Sequence, residues 1–377
     1  MNKKLVFFGG TFDPPHVEHF LMVKACVEEL SPDKIIIMPT FVPPHKKTFL
    51  SASAKDRLEM CKLAFADLKN VEISDWEISQ KGKSYSYITM KYLAEKYVGY
   101  DIYFLMGTDM LSSFDKWKNP EEILKYATPL LCERTGEKET ARQTAKEFES
   151  KFNKKIKTLS YIGKDLSSTE IKVKNILKQD ISKLVNRPVK ELIDRLSLYN
   201  GGKIAEYVVS RLTEARIEHT KEVVLLALKY AKAQGVCLKK TLTASLLHDV
   251  AKYLSPEDYK EFIMPIGVPK PVIHQYLGAY VAETELGVKN KEVLNAIKYH
   301  TSAKPNMSRL GKIIFTADML EYGRDYDGVE KMREISFQDF EKGFILSLKR
   351  SLEYVKIRGG EIYPLTQEAY DYYKKRS

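Results

Sequence analysis

Cysteine is scarce in this chain: Cys26, Cys61, Cys132 and Cys237 are the only four in 377 residues, far apart and never in a C-x-x-C pair. That spacing excludes a disulfide scaffold or a thiolate metal cage, and the apolar neighbours predict buried free thiols in a reducing compartment. No apolar run approaches the roughly 20 residues of a membrane span. The apolar stretch after Met1-Asn2-Lys3-Lys4 is also too short for the core of a secretory signal. A cytoplasmic protein with no membrane partner is therefore expected. Internal repeats and low-complexity tracts are missing too, which excludes solenoids and repeat arrays.

Concentrated charge is also absent. The formal net charge is +11 and the isoelectric point is about 9.1, values that raise the question of nucleic acid. Residues 1–200 hold 33 Lys and Arg against 27 Asp and Glu, and the remainder hold 28 against 23. A nucleic-acid binder gathers its excess on one face or tail. The even spread, with no aromatic-basic recognition motif, counts against an RNA-binding regulator. It favours phosphorylated small molecules as partners.

A hydrophobic content of 44% in a chain this long is enough for two cores. Short β-branched runs at 5–8, 34–38, 71–74, 101–106 and 129–132 read as strands. Helical patterns at 20–30, 54–65, 88–97 and 121–126 alternate with them. This alternation predicts a doubly wound parallel sheet with helices on both faces and ligands at the carboxyl ends of its strands. The charged stretch 135–157 reads as a solvated helix or loop. Beyond about Lys174 only helical periodicity continues, at 223–233, 241–254 and 292–299. Asn200-Gly201-Gly202 reads as a linker or helix stop. The expectation is α/β plus all-α: a Rossmann-like domain over 1–200 and an all-helical domain over 201–377.

The first strand runs into Phe7-Phe8-Gly9-Gly10-Thr11-Phe12-Asp13-Pro14-Pro15-His16-Val17-Glu18-His19. Two glycines let backbone pass close to a phosphate. A helix starting near His16 puts His16 and His19 on one face of its first turn, where a phosphoryl transition state can use them. The string resembles the H-x-G-H nucleotidyltransferases, and among them the nicotinate-nucleotide adenylyltransferases, with Glu18 where Gly is usual. The resemblance covers about residues 3–199.

It implies His16 and His19 as catalytic residues on the transferring α-phosphate of ATP, with His45 and Lys46 of Pro43-Pro44-His45-Lys46 nearby. It implies ATP or phosphate contacts at Gly9, Gly10, Thr11, Gly107 and Asp109. The same role falls to Ser168, Thr169 and Lys172 of the Ser-Ser-Thr-Glu-Ile-Lys string, where Lys172 replaces the usual Arg. Ser84, Tyr85, Ser86 and Trp117 resemble the nicotinate-binding residues, and Mg2+ is expected with the ATP. Transfer to phosphopantetheine, or from CTP, are the alternatives within such a fold.

In the second half, His248-Asp249 closes an apolar helical stretch, where charges cost free energy unless paired or metal-bound. His219 lies upstream and Asp318 downstream. Two imidazoles and two carboxylates suit a divalent transition metal with open positions. The ordered set His219, His248, Asp249, Asp318 resembles the HD-domain phosphohydrolases. His274, His300 and Arg324 extend the likeness to the bacterial HD proteins that split diadenosine tetraphosphate symmetrically. By that resemblance the first four residues hold the metal, Fe or Mn. The other three meet phosphate or a second metal.

A bifunctional enzyme follows, using ATP, nicotinate mononucleotide and diadenosine tetraphosphate. The alternatives are an HD domain that only senses nucleotides, or one that hydrolyses another nucleotide phosphate. A homo-oligomer is compatible with the sequence.

Overall fold

A computed structural model describes residues 2–41, 50–136 and 138–376. The described chain forms two compact units. The first holds 2–41, 50–172 and 180–199, and the second holds 173–179 and everything from Asn200 onward. The short 173–179 piece joins the second unit because Val173, Ile176 and Leu177 are buried in its apolar core.

The first unit is a six-stranded, all-parallel sheet: β1 (Lys3–Gly10), β2 (Lys34–Pro39), β3 (Val71–Ile73), β4 (Tyr100–Gly107), β5 (Ala127–Arg134) and β6 (Lys157–Gly163). The spatial order is β3-β2-β1-β4-β5-β6. The direction of strand progression reverses between β1 and β4, which opens a crevice at their carboxyl ends. Successive side chains leave a strand on opposite faces, and here both faces are covered. Val6, Phe8, Ile35, Ile37, Leu105 and Leu130 pack with Val23, Cys26, Met60 and Cys61 on one side. Leu5, Phe7, Ile36, Met38, Phe104 and Leu131 pack with Met90, Leu93 and Ile123 on the other. Double burial explains why these strands are unbroken apolar runs.

β6 is absent from the strand candidates. Its residues Lys-Thr-Leu-Ser-Tyr-Ile-Gly alternate buried and exposed positions at the sheet edge. An edge strand with one wet face carries too few apolar residues to stand out. The charged stretch before it contains a helix, Lys138–Phe152.

The second unit has no strand among its described residues. Its helices include Glu214–Ala233, Leu238–Leu247, Ile273–Thr284, Lys291–Lys298, Arg309–Leu320 and Phe340–Ile357. On Glu214–Ala233 the buried Thr220, Val223, Val224, Ala227 and Ala231 recur at spacings of three and four, one face of a helix. They meet Leu246, Ile297, Ile313 and Ile314 from neighbouring helices. Polar caps set the helix starts: the Ser308 hydroxyl accepts the Gly311 N–H and the Asn290 side chain accepts the Val293 N–H.

Among the described residues no helix is long and apolar enough to cross a membrane. All four cysteines are free; Cys26, Cys61 and Cys132 are buried. Cys237 departs from the expectation and is exposed, because it stands just outside the Leu238–Leu247 helix rather than on its inner face.

Candidate functional sites

At the end of β1 the chain turns through residues 11–16 into the helix Val17–Leu30, with His16 as its N-cap. The His16 backbone N–H donates to Nδ1 of His19 at 3.1 Å. The two imidazoles stack with centroids 3.6 Å apart and planes 24° apart. Accepting at Nδ1 places a neutral His19 proton on Nε2. Burial, with the Arg134 charge adding to it, pushes the His16 pKa down to about 3, so this ring is neutral at ordinary pH. Its Nδ1 is buried at the first turn of the helix. A neutral imidazole at a helix N-terminus is a hydrogen-bonding group suited to an anion. The cleft beside the pair is lined by Glu18, Gly107, Glu133, Arg134, Gly163 and Lys164, so the ends of β4, β5 and β6 form its floor.

The loop carrying the histidines is braced from beneath. Asp13 is buried and ion-paired with Lys172 at 2.9 Å. It also accepts from the Tyr199 hydroxyl at 2.7 Å and the Ala52 N–H at 3.0 Å. Burial alone would raise the Asp13 pKa; the Lys172 charge and these hydrogen bonds override it and hold the carboxyl below its ordinary value. Arg57, also buried, donates to the carbonyls of Thr11 (2.7 Å), Thr40 (2.6 Å) and Phe41 (3.0 Å). Lys172, chosen from sequence as a phosphate contact, is paired with Asp13 in this structure. Its side chain is 7% exposed and its ammonium serves Asp13, not open solvent. The Ser168 hydroxyl likewise donates to the Pro14 carbonyl at 2.9 Å, while Thr169 is half-buried in the first turn of the same helix.

Gly9 and Gly10 close β1, and Thr11 follows them with its carbonyl held by Arg57. Gly107 ends β4, and Asp109 lies 3.5 Å from the Arg134 guanidinium. Ser84 accepts the Phe41 N–H at 3.1 Å, Tyr85 lies under the Lys118 ammonium at 4.6 Å, and Ser86 opens the helix Ser86–Lys96. Trp117 is half-buried against Phe104 and Phe114. Those four do not line the histidine cleft. His45 and Lys46 lie outside the described residues. Asp13, Arg57, Tyr199, Arg134 and Lys164 went unselected from sequence. Position at the carboxyl end of a strand was an available signal only for Arg134.

In the second unit, wide sequence separation collapses into one cage. His219, His248 and Asp318 form one group able to hold a metal ion, and Asp249, His274 and His300 form another, each with its ligand atoms within 4.8 Å of one another. Asp249 is grouped with His274 and His300 by distance, yet it also lies beside His219, His248 and Asp318, the other residues chosen from sequence. One carboxylate oxygen, Oδ1, lies 3.1 Å from His274 Nε2 and 3.5 Å from His300 Nε2. The other, Oδ2, lies 3.6 Å from His248 Nε2 and 3.8 Å from His219 Nε2. Asp249 therefore faces both groups.

The ring nitrogens are sorted as metal ligation requires. Nδ1 of His248 is bound to the Ser245 carbonyl at 2.7 Å, and Nδ1 of His300 to the Ile297 carbonyl at 2.8 Å. Nδ1 of His219 is bound to Glu321 at 3.1 Å. Nε2 of each ring turns inward, 3.3 Å apart for His248 and His219 and 3.2 Å for His274 and His300. Converging ring nitrogens and buried carboxylates fit divalent cations. Burial opposes charge on His219, but Asp318 and Glu321 override it and raise its pKa to about 9; burial lowers His248 to about 3. Burial would raise both Asp249 and Asp318, yet the surrounding histidines hold both well below the ordinary carboxyl range. Arg324 is 3.0 Å from Asp318 and 3.4 Å from Glu321, at the rim. Glu321, which sequence reasoning missed, differs from any other glutamate only by its reach to His219.

A parallel α/β unit with a histidine pair on its first helix, followed by a helical unit with a His/Asp cage, defines a nucleotidyltransferase joined to an HD-type phosphohydrolase. The cytidylyltransferase-like family model matches residues 7–174, and the HD domain model matches 216–323. Over 167 residues, 44% of the chain, the sequence is 41% identical to a probable nicotinate-nucleotide adenylyltransferase of Aquifex aeolicus, 99% of which is covered. The chain belongs to the nicotinate-nucleotide adenylyltransferase family and carries an HD domain after it. A probable nicotinate-nucleotide adenylyltransferase/Ap4A hydrolase of Mycoplasma genitalium is similar along both parts, 29% identical over 370 residues, covering 94% of this chain and all of that protein. Its Mycoplasma pneumoniae counterpart is 28% identical over 357 residues, 93% of this chain and 98% of the relative.

Proposed function

We propose that the chain is bifunctional: residues 1–200 transfer AMP from ATP to nicotinate mononucleotide, and residues 201–377 hydrolyse diadenosine tetraphosphate symmetrically to two ADP. The first activity rests on the stacked, neutral His16–His19 pair at the first helix N-terminus, and the second on Asp249 between two histidine groups.

In the transfer, a phosphate oxygen of the mononucleotide attacks the α-phosphorus of ATP. A new P–O bond forms there, the bridge to the β-phosphate breaks, and pyrophosphate leaves. Positioning and charge stabilisation carry such a reaction. His16 and His19 hydrogen-bond the α-phosphate, and Gly9, Gly10, Thr11, Gly107 and Asp109 border the nucleotide, with Mg2+ accompanying ATP. Thr169 offers its hydroxyl to the phosphates, and Ser168 holds the loop through Pro14. Ser84, Tyr85, Ser86 and Trp117 receive the pyridine carboxylate and ring.

In the HD unit, His219, His248, Asp249, Asp318, His274 and His300 would hold divalent metal, iron or manganese. Metal bound there supplies a Lewis acid and lowers the pKa of a coordinated water. The protein's own part is to fix the imidazoles through Ser245, Ile297 and Glu321, and to keep Arg324 at the rim for a terminal phosphate.

Incubating the purified chain with diadenosine tetraphosphate and added iron or manganese, then resolving the nucleotides, tests the second activity; ADP as sole product is expected. AMP with ATP would indicate asymmetric cleavage and refute it. For the first activity, His16→Ala should lower deamido-NAD formation by about 100-fold or more, the scale of losing a transition-state hydrogen-bonding group, and undiminished turnover would refute the assignment.

A further inference from the structure

Glu18 stands where the resembled signature carries Gly, inside the cleft beside His16 and His19. It is 5% exposed, and its hydrogen bonds fall on one of its two oxygens. Oε2 accepts the Tyr161 hydroxyl at 2.8 Å and the Lys164 backbone N–H at 2.8 Å. A β-carbon at Gly163 would come within 3.3 Å of the same oxygen, so the backbone of β6 packs directly on it. Oε1 has no hydrogen-bond partner among the described residues, on a side chain that lines the cleft. The carboxylate is second in the first helix, where the positive end of the helix dipole favours a buried negative charge.

This is an acceptor clamped in one orientation with a spare oxygen. A cleft built for polyphosphate alone has no use for one, since a carboxylate repels phosphate. Gly107 and Gly163, at the ends of β4 and β6, bring no side chain to the cleft, and Glu133, Arg134 and Lys164 line it beside them. With the triphosphate at the histidines, as the transferase reading requires, the base of the same nucleotide extends over these strand ends.

We propose that Glu18 is a specificity-determining residue whose free Oε1 accepts a hydrogen bond from the exocyclic amine of the nucleotide base, selecting 6-aminopurine over 6-oxopurine. The inference rests on the proposed adenylyl transfer. A 6-oxo group would set two acceptors against each other across the cleft, which sites built to hydrogen-bond an amine reject strongly.

The probe is inosine triphosphate, which differs from ATP in carrying oxygen for the 6-amino group. Dinucleotide formation from nicotinate mononucleotide is measured with each nucleotide in the intact chain and in two variants. Glu18→Gln keeps the clamped oxygen for Tyr161 and Lys164 and puts an amide NH2 in place of Oε1, turning an acceptor into a donor. Glu18→Gly removes the group and supplies the residue usual in the signature. The wild-type kcat/KM ratio of ATP to inosine triphosphate should fall by about 10-fold or more in Glu18→Gln, through loss with ATP and gain with inosine triphosphate. Glu18→Gly should lower the ratio without the gain. A ratio unchanged in both variants overturns the inference, even if turnover drops, because a purely structural strut would slow both nucleotides alike. No dinucleotide from the wild-type chain would overturn the transferase reading itself and this inference with it.

Discussion

Replacing Asp13 by Asn tests whether the active-site loop is held by charge. The carboxylate is 4% exposed and faces the Lys172 ammonium at 2.9 Å, itself 7% exposed. Asn fills the same volume, and its carbonyl can still accept from Tyr199 and Ala52. Its amide nitrogen then opposes the Lys172 ammonium, and the buried ion pair is lost. Breaking a buried pair on one side costs about 3–5 kcal/mol. For a unit of this size each kcal/mol lowers the midpoint by about 2–4 °C, so a drop of roughly 6–20 °C is expected.

Both tryptophans, Trp76 and Trp117, lie in the first unit, so intrinsic fluorescence during thermal or urea unfolding reports on it alone. Because the Asp13 pKa is depressed in the folded state, its contribution is complete above the ordinary carboxyl value. It is lost as pH falls through the folded value. The penalty of Asp13→Asn should therefore be full at pH 7 and shrink only below about pH 4. Adding Lys172→Met should restore much of the loss, since the ammonium no longer faces an amide nitrogen. A shift below about 1 kcal/mol, or a double variant as unstable as the single, would show that hydrogen bonding, not charge, holds the loop.

Two further outcomes follow from the same geometry. Glu321→Gln cannot accept from both the His219 Nδ1–H and the Gly323 N–H, as the carboxylate does; metal affinity measured against a coloured chelator should fall by about 10- to 100-fold. Unchanged affinity would remove Glu321 from the support of His219. With a disulfide reagent at neutral pH, Cys237 should react rapidly in the folded chain and the other three only on unfolding. Burial pushes the thiol pKa up to about 12 in Cys26 and about 11 in Cys132, and raises Cys61 as well. Fast reaction of a second thiol would contradict the packing of the first unit.

The contrast between Val6–Phe8 and β6 shows where sequence stops informing. A strand buried on both faces has to be apolar throughout, so its character is written residue by residue. An edge strand such as β6 needs only Leu159 and Gly163 inside, and the rest obeys solvent. The same division runs through the sites. His16, His19, His219, His248, His274 and His300 could be chosen by type and order, because few other side chains do their chemistry at neutral pH. What could not be read is how each group is spent once folded. Lys172 is chosen as a phosphate contact, and its pairing with Asp13 is invisible in the sequence; Asp249 is chosen as a metal ligand, and the division of its two oxygens between histidine groups is equally invisible. Glu18 reads as damage to a signature until Oε2 is seen pinned by Tyr161 and Lys164 with Oε1 left over. In each case the residue type was visible and the partner was not, because partners are set by the approach of segments distant in sequence. Function in this chain is therefore most exposed to change at these polar groups with divided duties, where an isosteric substitution preserves packing and alters only which atom donates.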